Sequence, residues 1–167
     1  MWEKKSGSSD DTLHNEGLCY PWAGVCSGNG TTLCGTTADC SVAGGTCGTA
    51  DCQTAAPNGL TIFQWVAQLN AAKFAGDTDW RVPNIKELQS IMDFQNFNPS
   101  VAAAFNTSCT ATCTVTTCSC TQSDYYWSAT TYADGAIWAW GVDFFNGYVF
   151  YDGKTTYIYV RAVRSGL

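Results

Sequence analysis

Ten cysteines carry the most chemistry in this 167-residue chain. Cys19, Cys26, Cys34, Cys40, Cys47 and Cys52 form one cluster, and Cys109, Cys113, Cys118 and Cys120 a second, with no cysteine between them. A zinc site uses thiolates or imidazoles in tight pairs, commonly about two to four residues apart. The second cluster comes near that spacing without matching it, and the gaps in the first are too wide. Both lie among Gly, Thr, Ser and Ala, as in stapled loops. The count is even, so disulfides are favoured over metal, and no cofactor is expected. Pairing within each cluster is expected, but spacing does not choose the connectivity.

Other catalytic patterns are missing from the sequence. His14 is the sole histidine, and no Ser/His/Asp or H-E-x-x-H arrangement surrounds it. Asp77 and Asp79 offer carboxylates to calcium, but no spaced Asp/Asn series accompanies them, so a capped turn is the better reading. Arg81, Arg161 and Arg164 stand beside apolar residues and are expected to anchor loops through carboxylates or carbonyls. The net charge is −6 and only eight Lys and Arg are present, so a nucleic-acid footprint cannot be assembled. Anionic membrane surfaces and sulfated glycans are disfavoured on the same ground. No apolar run reaches the roughly 18 residues that would span a bilayer. Disulfides imply export, yet Met1-Trp2-Glu3-Lys4-Lys5-Ser6-Gly7 lacks the apolar stretch of a signal peptide. The expectation is an extracellular or cell-surface domain excised from a longer exported protein.

The elements that position these residues are legible in part. Apolar content is 46%, enough for one core over residues 1–167. Thr61 is placed to cap a helix whose buried stripe is Ile62, Trp65, Val66 and Leu69, with Lys73 in its last turn and Gly76 ending the segment. Asn84 and Glu87 form a capping box for a second helix, with Leu88, Ile91 and Met92 inward. Residues 19–56 and 107–121 read as disulfide-stapled insertions. Beyond Tyr125, alternating short runs predict strands at 125–130, 136–145, 147–151 and 157–164. Asn146-Gly147 and Asp152-Gly153 are hairpin signals. Helices followed by a small sheet make an α+β chain.

Three runs are more specific: Trp80-Arg81-Val82-Pro83-Asn84-Ile85-Lys86-Glu87-Leu88-Gln89, Tyr126-Trp127-Ser128-Ala129-Thr130-Thr131-Tyr132-Ala133, and Tyr159-Val160-Arg161-Ala162-Val163-Arg164-Ser165-Gly166. In this order they resemble the Lcl C-terminal-domain family of bacterial surface proteins and collagen-like adhesins. Met1-Trp2-Glu3-Lys4-Lys5 is similar to that family's opening strand. The resemblance implies a C-type-lectin-like fold of the formylglycine-generating-enzyme-like branch, with two helices, small antiparallel or mixed sheets and stapled loop insertions. Within it, Trp80, Trp127, Val160 and Val163 are expected in the core.

The C-terminal hairpins offer the candidate binding face. With Ala139, Trp140, Val142, Phe144, Gly147, Val149, Lys154 and Tyr159 to Arg161 as framework, the intervening positions are expected to face outward. These are Asp134, Gly135, Ala136, Ile137, Gly141, Asp143, Phe145, Tyr148, Phe150, Tyr151, Asp152, Tyr157 and Ile158. Rigid aromatics among small, adaptable residues are the composition of recognition surfaces. Phe145, Tyr148, Phe150, Tyr151 and Tyr157 are expected to form one exposed patch. The resemblance further implies a target of a diversity-generating retroelement, in which adenine-specific mutagenesis rewrites Asn-type codons. Every outward residue belongs to the set such codons can reach. Trp138 does not, and it is assigned to the scaffold.

The leading expectation is therefore a non-enzymatic, surface-displayed variable domain that recognises a protein ligand. A neutral-glycan adhesin head is the alternative. Chemistry of the formylglycine-generating kind would need a reactive cysteine pair in a peptide cleft, and the cysteines lie outside the framework motifs.

Overall fold

The computed structural model describes residues 1–9, 12–29, 32–34, 37–44, 47–48 and 60–165. Among the described residues, eight strands run β1 (Cys19–Pro21), β2 (Gly24–Cys26), β3 (Leu33–Cys34), β4 (Cys47–Gly48), β5 (Tyr125–Thr131), β6 (Trp138–Asp143), β7 (Tyr148–Gly153) and β8 (Tyr157–Tyr159). Two α-helices, α1 (Ile62–Ala71) and α2 (Ile85–Gln89), lie between β4 and β5. The main sheet has the order β1-β8-β5-β6-β7, with β5 and β8 parallel and the other pairs antiparallel. A small sheet, β3-β2-β4, carries Cys26, Cys34 and Cys47 of the first cysteine cluster. The chain is α+β.

Both helices begin where side-chain chemistry starts them. Thr61 accepts from the Gln64 amide, and the Gln64 side chain accepts from the Thr61 amide. Asn84 and Glu87 do the same for α2. These reciprocal bonds satisfy amide donors that a first helical turn leaves without partners. The α1 stripe of Ile62, Trp65, Val66 and Leu69 is buried, as expected. Lys73, expected in the last turn, lies past the helix at φ 51° and starts a short 3-10 turn. Asn70 clamps Trp80 by donating to its carbonyl and accepting from its amide, both at 2.8 Å. The Arg81 guanidinium forks onto Glu87 at 2.6 and 2.7 Å.

Adjacent residues of a strand point to opposite faces. Tyr126 enters one core with Leu88, Ile91, Val101, Val142 and Phe144. Trp127 enters another with Ile62, Trp65, Leu69, Ala139, Ile158 and Val160. The sheet is thus covered by α2 on one face and α1 on the other. Trp80, Trp127, Val160 and Val163 are core residues, as the sequence predicts. Gly141 sits opposite both Trp127 and Phe150. A Cβ there would come within 2.5 Å of the Phe150 ring and 2.6 Å of the Tyr126 carbonyl.

Three expectations about connectivity change. Residues 19–56 are not wholly an insertion, because Cys19–Pro21 is a main-sheet strand and Tyr20 is buried in the α1-side core. Asn146-Gly147 closes a four-residue loop instead of a two-residue hairpin: Asp143 pairs with Tyr148, and Gly147, at φ 79°, donates to the Asp143 carbonyl. Asp152-Gly153 makes no hairpin at all. β7 is the sheet edge, and the chain crosses back to place β8 between β1 and β5.

The terminal segments pair through Trp2 with Val163 and through Glu3 with Ala162. Glu3, Lys5 and Arg161 are buried there. Glu3 accepts from the Ala162 amide at 2.9 Å and meets Lys5 Nζ at 3.5 Å and His14 Nδ1 at 3.0 Å. Arg161 reaches into the second cysteine tract, donating to the Cys120 carbonyl and to Thr121 Oγ1. Arg164 holds Asp77 at 2.6 Å and Asp79 at 2.8 Å, so those carboxylates form an ion-paired turn. The three arginines anchor loops as expected.

Cys26–Cys40, Cys109–Cys120 and Cys113–Cys118 are disulfides, and Cys19 and Cys34 are also disulfide-bonded. Cys52 and the side chain of Cys47 lie outside the described residues.

Trp127→Ala should cost about 3–5 kcal/mol, lowering the melting temperature by about 6–20 °C in a domain of this size. An unchanged calorimetric melt would displace Trp127 from the core. Gly141→Ala should destabilise by about 1–3 kcal/mol through overpacking, measured by urea unfolding. Phe150→Leu should restore part of that loss. Digestion without reductant followed by mass mapping should recover Cys109 linked to Cys120 and Cys113 linked to Cys118.

Candidate ligand-binding face

Strands β5 to β7 set the candidate site, and their register sorts its side chains. Tyr125, Asp143 and Tyr148 form one row across the sheet, and Trp127, Gly141 and Phe150 the next. These lie on the α1 face. On the α2 face, Tyr126 lines up with Val142 and Val149, and Trp140 with Tyr151. Period-2 spacing therefore groups Gly141, Asp143, Tyr148, Phe150 and Asp152 correctly. It does not leave that group in solvent, because α1 and the Trp127 core cover much of the same face.

The expected binding residues divide accordingly. Asp134, Ala136, Ile137, Phe145, Tyr148 and Tyr151 are exposed. Gly135, Phe150, Asp152 and Tyr157 are half-buried. Gly141, Asp143 and Ile158 are buried, which corrects the expectation that they face outward. Gly141 is roofed by Phe150. Asp143 turns inward because its carboxylate accepts from the Phe145 amide at 2.8 Å and closes the β6–β7 loop. Ile158 belongs to the α1-side core beside Tyr20 and Trp65. Tyr157 and Ile158 also sit on β8, which β5 and β6 separate from β7.

The five aromatics expected in one patch are consequently distributed. Tyr148 and Phe150 share the α1 face, while Tyr151, next in the chain, lies on the other. Tyr148 is 66% exposed and Tyr151 48%. Phe150 packs against Tyr125 with ring centroids 4.7 Å apart. At the loop tip Phe145 meets Phe97 edge-on at 4.6 Å. The Phe94 ring lies over Gly147, where a Cβ would approach it to 2.7 Å. Phe94 and Phe97 are 73% and 66% exposed.

The sequence reading missed Phe94, Phe97 and Tyr125, which reach the same rim from other segments. Their signal was present in Asp93-Phe94-Gln95-Asn96-Phe97, two aromatics in a polar loop. Trp138, assigned to the scaffold, is partly exposed. Tyr151 stacks on Tyr132 at 4.3 Å and meets Trp138 and Trp140 edge-on at 5.9 and 5.6 Å. The Tyr132 phenol is raised above its ordinary range, first by desolvation and then by the charge of Asp134 and by Tyr151.

Lys154 Nζ donates to Thr131 Oγ1 at 2.9 Å and lies 3.7 Å over the Trp22 ring; burial holds its pKa below the usual lysine value. The sulfurs of Cys109, Cys113 and Cys120 cluster closely, as do those of Cys26, Cys34 and Cys40. All six are in disulfides, so none carries the thiolate charge that a metal ligand needs.

A family model described as the Lcl C-terminal domain matches residues 1–164. Comparison with curated proteins and with solved structures found no match for the chain. The matched span takes in the paired terminal segments, both helices and every strand of the main sheet, so the chain belongs to the Lcl C-terminal domain family.

Proposed function

We propose that this chain is a non-catalytic binding domain, displayed outside the cell, that engages a protein ligand through its β6–β7 rim. The observation that carries this reading is the exposure of Phe145, Tyr148 and Tyr151 on a hairpin anchored in two cores, with Phe94 and Phe97 beside its tip. Rigid aromatics contribute contact area at low entropic cost. A cluster of them in solvent is unusual unless it has a use. The disulfides favour an oxidising compartment.

The finer reading is a variable protein of the C-type-lectin-like fold, diversified by a retroelement. The exposed positions Asp134, Ala136, Ile137, Phe145, Tyr148 and Tyr151 all carry residues that adenine-directed rewriting can produce. The buried Trp127, Arg161 and Lys154 belong to the scaffold. A neutral-glycan adhesin head remains the second reading, favoured by the partly exposed Trp138 beside Tyr151, since indole and phenol faces suit sugar rings. Catalysis of the formylglycine-generating kind finds no support, because the described cysteines are all in disulfides.

The test is selection of a random peptide display library against the whole domain, followed by rescreening against Phe145→Ser/Tyr148→Ser/Tyr151→Ser. Selected peptides should lose binding to the triple variant. Its stability should fall by about 0.5 kcal/mol or less at Tyr148, and by more at Phe145, whose ring packs edge-on against Phe97. Tyr151 should cost more, since each of its ring contacts contributes about 0.5–1.5 kcal/mol. Peptides that bind both proteins equally would refute the face. Saturable, salt-resistant binding on a neutral glycan array, with no selected peptide, would establish the adhesin reading in its place.

A further inference from the structure

We propose that the ring cluster of Tyr132, Trp138, Trp140 and Tyr151, with Asp134 at its rim, is a site for a cationic group, the guanidinium or ammonium side chain of the protein ligand. The proposal depends on the binding-domain reading and specifies its chemistry. Four aromatic side chains converge from the end of β5, from β6 and from β7. They fix one another: Tyr132 stacks on Tyr151 with an interplanar angle of 18°, and both indoles stand nearly perpendicular to Tyr151. Trp140 also meets Tyr132 at 5.3 Å. Trp138 is further held by close approach to Gly135, where a Cβ would come within 2.7 Å of the indole.

The rings are therefore pre-positioned, and their faces carry the negative pole of the aromatic quadrupole. A cation over such a face is attracted electrostatically, most strongly over Trp. Asp134 is exposed and stands two residues from Tyr132, and its charge acts on the Tyr132 phenol, which puts a carboxylate near the rings. The Lys154 ammonium, anchored on neighbouring Thr131, is committed to the Trp22 ring. The chain carries a net charge of −6, so its general field favours a positive partner. An uncharged apolar partner would gain nothing from Asp134, and an acidic one would be repelled by it. That complementarity selects a cationic occupant.

The whole domain is titrated with tetramethylammonium chloride and with Nα-acetyl-arginine amide, and the Trp indole N–H resonances are followed by NMR. Neopentyl alcohol serves as the neutral isostere, and sodium chloride matches the ionic strength. Both organic cations should shift the Trp138 and Trp140 signals saturably, and the alcohol should not. Asp134→Asn should weaken cation binding about twofold to fivefold, the scale of one exposed charge contact. Trp138→Ala should abolish it while the melt stays cooperative. Equal response to the alcohol, or unchanged affinity in Asp134→Asn, overturns the proposal. Library peptides that need Trp138 and Tyr151 yet contain no Lys or Arg also overturn it, while leaving the binding face intact. Absence of any face-dependent peptide refutes the face itself, and is distinguishable because the small cations would still shift the indoles.

Discussion

Strand β5 is buried on both sides, and the rest of the molecule is arranged around that constraint. Tyr126 and Trp127 are adjacent, fully enclosed, and directed into different cores. Each large ring needs its own apolar shell, so a helix must cover each face of the sheet. Burying side chains of this size contributes about 1.5–3 kcal/mol apiece, which makes this pair a main source of order in the domain. β6 inherits the arrangement. Gly141 is small because the Phe150 ring occupies the space above it. The edge strand β7, the β6–β7 loop and the turn around residues 132–137 reach solvent, together with Tyr125 and Trp138 at the strand ends. The candidate site is where the two coverings end.

A second constraint is the set of buried charges between the terminal segments and the second cysteine tract. Desolvating ions costs several kcal/mol each unless partners compensate. Glu3 is surrounded by a backbone amide, Lys5 and His14, and Arg161 by the Cys120 carbonyl and two hydroxyls. Burial, and then the like charge of Arg161, lowers the Lys5 pKa, with Glu3 opposing both. Burial likewise pushes the Tyr126 phenol well above its ordinary range. These contacts join residues 1–6, 119–121 and 159–164. The tract at 107–121 is thereby fixed to the core by Arg161 as well as by its two disulfides. It behaves as part of the domain despite its loop-like composition.

The amino-acid sequence by itself determined the local features. Thr61 with Gln64 and Asn84 with Glu87 start helices because their bonds close within one turn. The α1 stripe, the anchoring roles of the arginines and the disulfide character of the cysteines also follow from residue type and short spacing. Even the face shared by Gly141, Asp143, Tyr148 and Phe150 was legible, since strand geometry fixes a period of two. Tertiary structure alone decided which of these side chains reach solvent. Alternation says that two sets oppose each other, but not that both are covered. It could not show that β8 crosses back beside β5, removing Tyr157 and Ile158 from the hairpin, or that β1 emerges from a cysteine-rich tract. Nor could it bring Phe94, Phe97 and Tyr132 to the rim. Those outcomes depend on contacts between residues far apart in the chain, whose energies no local pattern encodes.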